Sequence, residues 1–474
     1  MLKVFNKIKF ILLCSLLISA YVFAQGTDTW VLDNSAVKRA TAGQFSTDSD
    51  KVKSKDIFDL QRSFFTAGYL GGTSFSANGG GTEDLGVAPF NNGVQGAFGI
   101  ALPNNMYLGF AARYQFDDSA NITKDKNGNI VTGTVGTGNN LWTINSQAAL
   151  RAAFRINDMA AIHYYFRMGP NTGTSSIYSV AQTINKDQKT DYATIYNDGI
   201  WTHEIAASIK FGEHKLTIPI GIVFHANNMK MQGKYLDKKT DYVDYLGEDY
   251  ISLYLNPEFN LGITSGPMTG ITVGANIGFG VNNNFGQNGT RIETTGAETK
   301  YEGKQGKDRF AMDVYVSFPL SWSLANDQVK LAMEPKLSLG LSVTNTGNSS
   351  QKVGNGQTTG YAGYNGEVKF IPYAELPIGT TWQPVEWWQL RMGTALMIQA
   401  ETTWATYVPP KADGSLDETS KTVTTKLTTK AGIAGFFGMG FMVGEDFDID
   451  LYAEVNSLSV NNLNFGGQLT YRFN

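Results

Sequence analysis

Along most of the chain, apolar or aromatic residues recur at every second position. In Trp142-Ile144-Ser146-Ala148-Leu150-Ala152-Phe154-Ile156 one face is mostly apolar, while Thr143, Asn145, Gln147, Arg151 and Arg155 occupy the other. Ile251-Leu253-Leu255-Pro257-Phe259-Leu261-Ile263 alternates with Ser252, Tyr254, Asn256, Glu258 and Asn260 in the same way. So does Val329-Leu331-Met333-Pro335-Leu337-Leu339-Leu341-Val343 against Lys330, Ala332, Glu334, Lys336, Ser338 and Ser342. A period of two predicts β-strands, because a helix brings apolar residues round at every third or fourth position. Read throughout, the pattern predicts sixteen strands, near 64–76, 93–102, 106–116, 141–156, 159–169, 199–212, 215–227, 249–263, 270–282, 307–323, 328–344, 363–377, 386–402, 424–441, 446–457 and 462–473.

The connections fall into two sets that alternate down the chain. One is short: Pro103-Asn104-Asn105, Asn157-Asp158, Gly212-Glu213-His214, Ser265-Gly266-Pro267, Asn326-Asp327 and Gly444-Glu445-Asp446, with a longer member around Thr380–Val385. These are tight-hairpin chemistries. The other is long and polar, near 77–92, 117–140, 170–198, 228–248, 283–306, 345–362 and 403–423, with a short exception near 458–461. Short periplasmic turns on one side and long extracellular loops on the other predict an all-β fold, a transmembrane antiparallel up-and-down β-barrel. Both termini fall on the turn side, so the strand number is even: sixteen, with fourteen as the alternative at the short 458–461 connection. Asn127-Gly128, inside one long loop, fits a type I′ hairpin turn.

The first residues change the compartment. Lys3, Lys7 and Lys9 precede an apolar run from Phe10 to Phe23, and a small-residue cleavage pattern ends at Ala24. Residues 1–24 thus read as a Sec-type signal peptide, which places the barrel in the outer membrane of a Gram-negative-type bacterium. The single cysteine, Cys14, lies in this leader and lacks a lipoprotein cleavage box. Removing the leader leaves 35 Lys+Arg (38 less its three) against 42 Asp+Glu, a balance of −7 that excludes nucleic acid as a natural partner. The longest apolar stretch beyond it, near 431–444, is well short of the ~20 residues a spanning helix needs. The 52 Gly, 28 Phe, 22 Tyr and 8 Trp suit a sheet with one apolar face. Trp142, Trp201 and Trp404 fall at loop-side strand ends and Trp322, Trp387 and Trp388 at turn-side ends, where a membrane interface holds amphipathic rings.

At the C-terminus Phe465, Gly467, Leu469, Tyr471 and Phe473 alternate to within one residue of the end, where Asn474 follows the aromatic that usually terminates the pattern. This resembles the terminal-strand signature of bacterial outer-membrane, porin-like β-barrels, and the resemblance extends over the mature chain. It implies outer-membrane lipid and the barrel-insertion machinery as partners, with small solutes as cargo and homo-oligomers open.

Five prolines, Pro219, Pro257, Pro319, Pro335 and Pro372, sit inside predicted strands. Each removes a ladder donor, and they mark either bulges that bend the wall or a weak hairpin-level repeat. Residues 25–63 precede the barrel (64–474) and include the charged stretch Ser46–Asp56, which either hangs in the periplasm or folds into the lumen as a plug.

Candidate chemistry lies on the predicted inner face, which decides what can pass. Arg113, Arg151, Arg155 and Arg167 cluster on three consecutive strands, whereas Glu367 and Glu375 share one strand and Asp448, Asp450 and Glu454 another. Either the two walls set up a transverse field or each charge pairs locally. His163, His203, His214 and His225 form no HxH or HExxH spacing, so no metal, cofactor or catalytic site is expected. His203 is placed facing outward near the membrane edge. Asp125-Lys-Asn127-Gly-Asn129 opens like a calcium loop, but its glycine is misplaced and no bidentate Glu follows. Three functions fit: a porin-like channel for small solutes, a substrate-specific transporter resembling the long-chain fatty-acid family with its N-terminal plug, and a surface adhesin or antigen acting through its loops.

Overall fold

A computed structural model describes residues 36–46, 57–59, 62–76, 86–87, 93–103, 105–115, 139–144, 146–170, 178–185, 190–235, 238–242, 250–281, 289–292, 298–301, 307–346, 350–352, 358–361, 363–456 and 462–473. The leader, the Asn127-Gly128 turn, the Asp125–Asn129 segment and the 458–461 connection lie outside the described residues.

Sixteen wall strands are present. They are β1 (Ser63–Ser76), β2 (Gly93–Leu102), β3 (Met106–Gln115), β4 (Ser146–Arg155), β5 (Ala160–Pro170), β6 (Thr190–Phe211), β7 (His214–Tyr235) and β8 (Tyr250–Leu255 with Glu258–Gly262). They continue as β9 (Gly270–Val281), β10 (Lys307–Ser317 with Leu320–Leu324), β11 (Val329–Met333 with Lys336–Thr346), β12 (Tyr364–Val385), β13 (Trp388–Val408), β14 (Thr422–Val443), β15 (Phe447–Asn456) and β16 (Asn462–Phe473). Each pairs antiparallel with its sequence neighbours, and β16 returns to β1 through Ser63↔Phe473 to Ser74↔Asn462. The cylinder is therefore closed, and no wall strand is left as an edge for the whole of its length.

The outer face carries the expected apolar set. Phe98, Leu150, Ile205, Val314, Leu451 and Leu469 are all exposed, Ile205 to 65%. Apolar side chains this exposed have water as a poor solvent and lipid as a good one. Trp387 and Trp404 are also exposed, the first in the turn after β12 and the second near the loop-side end of β13. The turns supply the backbone the hairpins need: Asn105, Gly212 and Gly444 have φ of 61°, 61° and 69°, a region that costs glycine nothing and asparagine little.

Two sequence expectations need correction. The connection expected at Thr380–Val385 is strand: Ile378–Trp382 pairs with Val329–Met333, and the turn is Glu386–Trp387. Pro377 and Gly379 look like turn residues, yet the Pro377 carbonyl accepts from Glu334 N at 3.2 Å and the ladder continues. The proline-marked bulges are absent as well. Ile220↔Leu255 and Thr217↔Glu258 keep one register across Pro257, as do Ser317↔Lys336 and Leu320↔Met333 across Pro319 and Pro335, and Phe370↔Thr402 and Tyr373↔Gln399 across Pro372. A bulge needs an inserted residue, whereas proline merely lacks a donor. The carbonyls of Pro219, Pro257, Pro319 and Pro335 still accept cross-strand bonds of 2.9–3.0 Å from Asn256, Ala275, Thr269 and Phe318.

Ladder also extends above the barrel. β6 and β7 stay paired from Phe211↔His214 to Asp191↔Lys234, and Tyr178–Asn185, Asn139–Ile144 and Lys238–Tyr242 add to this sheet.

Candidate functional site

The inner wall is polar, and several of its charges pair locally. On the acidic strands Asp450 accepts from Arg391 at 2.5 Å, Asp448 from Arg472 at 2.6 Å, and Glu367 lies 2.9 Å from Lys369 Nζ. The Tyr373 hydroxyl donates to Glu375 at 2.5 Å, and Glu454 is buried. Asp450, Asp448 and Glu367 therefore each have a cation at hand, and Glu375 has a phenol. On the other arc the Arg151 guanidinium lies 4.5 Å over the Tyr165 ring, Arg167 follows on β5, and Arg155 donates to Asn105 at 3.2 Å beside a turn. The Arg113 side chain lies outside the described residues. His203 faces outward, bonded to the Tyr164 hydroxyl at 2.8 Å and flanked by the Phe166 and Phe224 rings. Among the described residues no three His, Cys, Asp or Glu converge as a metal site.

Glu204 joins several of these groups, and nothing in the alternation singles it out. It accepts from Tyr254 at 2.8 Å and lies 3.1 Å from His163 Nε2, within electrostatic reach of Arg151. To reach it from β8, Tyr254 lies flat across Gly221 on β7, where an added Cβ would overlap the ring. The same device recurs two strands on: Tyr315 on β10 crosses Gly274 on β9 and donates to Glu258 on β8 at 2.8 Å. In both cases the glycine is the cross-strand partner of the tyrosine. Each tie spans three strands and keeps a phenol off the lumen axis.

A second use of glycine is the seat for the N-terminal segment. The helix α1 (Ala36–Ala40) packs inside the barrel on β13–β16, and Ala36, Val37, Ala40 and Thr41 are all buried. Ala36 N donates to Gln468 Oε1 on β16 at 3.0 Å. Ala40 sits on Gly438 of β14, the Thr41–Ala42 backbone on Gly393 of β13, and Thr41 O with Gln44 on Gly379 of β12. These three glycines face inward, and any side chain there would fill the space the segment occupies. Past the helix, Ala42 and Gly43 both take positive φ, 52° and 82°, and Gly43 N bonds Lys38 O at 2.7 Å, the 6→1 bond of a left-handed C-terminal cap. Further along, Ile57 packs with Phe64, Ala97, Tyr107, Ala149 and Ala153 on the inner wall of β1–β4. Arg62 then anchors the exit to Asp446 at 2.8 Å on the turn side. The described residues 36–46 and 57–59 thus pack against the inward side of the wall.

At the opposite mouth an open groove of about 320 Å³ is lined by Thr344, Asn365, Glu367, Tyr407, Thr422 and Thr424.

A closed antiparallel barrel with an apolar outer belt and a polar interior is the build of an outer-membrane β-barrel, and that is the class of this chain. The profile of an uncharacterised protein family (UPF0164) matches residues 255–439, a stretch that contains all three seat glycines. No curated protein matches the chain. Solved structures give low likenesses. CdiB from Acinetobacter baumannii has a TM-score of 0.38 at 10% identity, covering 87% of this chain; the chain spans 60% of that protein. The Ralstonia pickettii toluene transporter TbuX gives 0.35 at 11% identity over 94% of this chain and 99% of its own. A loop L8 deletion mutant of OmpT from Vibrio cholerae gives 0.30 at 8% identity over 87% and 100%.

Proposed function

We propose that the barrel passes small polar solutes across the outer membrane and that residues 36–46 restrict the passage from within, as a luminal plug. The observation that carries this reading is the seat itself: Gly379, Gly393 and Gly438 leave room on the inner wall for Ala40 to Gln44. The polar lining favours hydrophilic cargo, since inner-wall side chains set selectivity. A sixteen-stranded cylinder is of the size that leaves an aqueous channel, and a segment docked against its inner wall narrows that channel. Arrival by Sec-type export is part of the proposal, with the mature chain starting at Gln25.

Planar-bilayer recording on the refolded protein tests it. The full chain should show small or intermittent conductance steps, and a variant lacking residues 26–59 should show larger, steadier ones. Equal conductance would remove the restricting role, and no conductance from either would remove the channel. A second reading, a surface binder, is favoured by the sheet that rises above β6 and β7. Trimming 170–198 and 228–248 without changing the binding of cells to host ligands counts against it.

A further inference from the structure

The seat adjoins a buried ion pair. Arg391 on β13 reaches across Gly440 to Asp450 on β15, and the two side chains are 6% and 1% exposed. The register puts Asp450 between Gly440 and Gln468, and Gln468 holds Ala36 N. One step along, Gly438 lies against both Ala40 Cβ and Arg391 Cβ. Among the described residues, α1 is what lies over this part of the wall. Gln389 Oε1 accepts from Arg391 at 2.8 Å, but among the described residues Arg391 Nε and Asp450 Oδ2 have no hydrogen-bond partner.

We infer that the Arg391–Asp450 pair is a release device for the luminal segment: seating α1 strips water from the pair, and unseating α1 restores it. The inference rests on reading residues 36–46 as a plug. Taking two charges out of water is costly, and their mutual attraction offsets the cost only when the remaining lone pairs and protons are also satisfied. Here one oxygen and one N–H are left over, so docking carries a penalty that an apolar pair of similar volume would lack. The Ala36–Gln468 bond and the contacts of small side chains on Gly379, Gly393 and Gly438 favour seating, and the penalty opposes it. The segment is thus poised to leave, as a gate must be.

The test uses the full chain in detergent or vesicles with Cys14→Ser and Thr41→Cys, because Thr41 is fully buried when seated. Labelling of the thiol at position 41 by a bulky, water-soluble maleimide reports how often the segment leaves. Arg391→Met with Asp450→Leu should slow labelling about tenfold or more, since the apolar pair loses nothing when covered. Asp450→Asn alone should speed it by a similar factor, because a lone buried guanidinium gains more from water than a paired one. A wall staple predicts instead that both variants loosen the seat and speed labelling. Equal or faster labelling in a folded double variant overturns the inference, and so does unchanged or slower labelling in Asp450→Asn. If labelling responds as expected while deletion of 26–59 leaves conductance unchanged, the device stands and the channel-restricting role falls. If conductance responds and labelling does not, the reverse holds.

Discussion

Replacing Gly393 with Val perturbs the seat while sparing the wall. The three heavy atoms nearest an added Cβ all belong to the luminal segment: Ala42 N and Thr41 C at 2.7 Å and Thr41 Cα at 3.0 Å. They are backbone atoms, so no side chain can swing aside and the segment must move as a whole. Overpacking of this kind costs about 1–3 kcal/mol. Among the contacts that oppose it are burial of Val37, worth about 1.5–3 kcal/mol, and the Ala36–Gln468 bond, worth about 1 kcal/mol. With 1.4 kcal/mol per factor of ten, the unseated population should rise about 5- to 150-fold. In the Cys14→Ser, Thr41→Cys background, the maleimide labelling rate follows that population when opening is fast relative to reaction. Gly435→Val is the matched control, since a Cβ there meets nothing within 4 Å. Labelling at the parent rate in Gly393→Val, with the barrel still folded on gels, would refute the reasoning.

Other consequences follow from the same geometry. Gly221→Val and Gly274→Val should each destabilise the barrel by about 1–3 kcal/mol through overpacking against the tyrosine ring, with Tyr254→Phe costing about 1.5–3 kcal/mol for a bond to a charged carboxylate; urea titration of the folded gel band measures both. Val314→Arg places a charge on the outer face of β10 and should cost about 2–4 kcal/mol if that site lies near the bilayer midplane, whereas a polar substitution at the inward Asn276 should alter selectivity and leave the urea midpoint in place. In the loop after β13, Ser415 holds the Asp413 carboxyl and Ser420 with Thr419 hold that of Asp417 below the ordinary carboxylate range. A depressed folded value means that this contribution is present above the unfolded value and lost as pH falls through the folded one. The protection of amides in residues 411–421, taken relative to their intrinsic exchange rate at each pH, should therefore hold from neutral pH down to ordinary carboxylate values and fall only in stronger acid.

The wall was legible because its signal is periodic. Alternation places Ile205, Val314 and Leu451 on lipid without any knowledge of partners, and the turn chemistry at Asn105, Gly212 and Gly444 ends each hairpin. The Thr380–Val385 error arose where Pro377 and Gly379 carry loop composition within a paired strand. The luminal contacts were harder to read. Arg391 is one more polar residue on an alternating strand, and only the fold brings it to Asp450 from two strands away. Composition argued for a charged, solvated stretch before the barrel, and that reading favours the periplasm; the apolar Ala36, Val37 and Ala40 ahead of it are too few to form a pattern, yet they reach the wall.

The glycines separate architecture from function in a way alternation cannot. At Gly221 and Gly274 the space left by a missing side chain is filled by a tyrosine of the next strand, so these positions serve the wall and a substitution should lower barrel stability wherever the luminal segment is. At Gly379 and Gly393 the space is filled by residues 41–44 of the same chain, and the wall itself makes no demand for glycine. If residues 36–46 were only a passive filler, valine at Gly393 should leave conductance unchanged in the full chain as well as in a chain lacking residues 26–59. If they are a gate, that valine should change conductance in the full chain and do nothing in the shortened one. The double-mutant comparison isolates the coupling between wall and segment, and a conductance change of equal size in both backgrounds would show that Gly393 acts on the pore by itself.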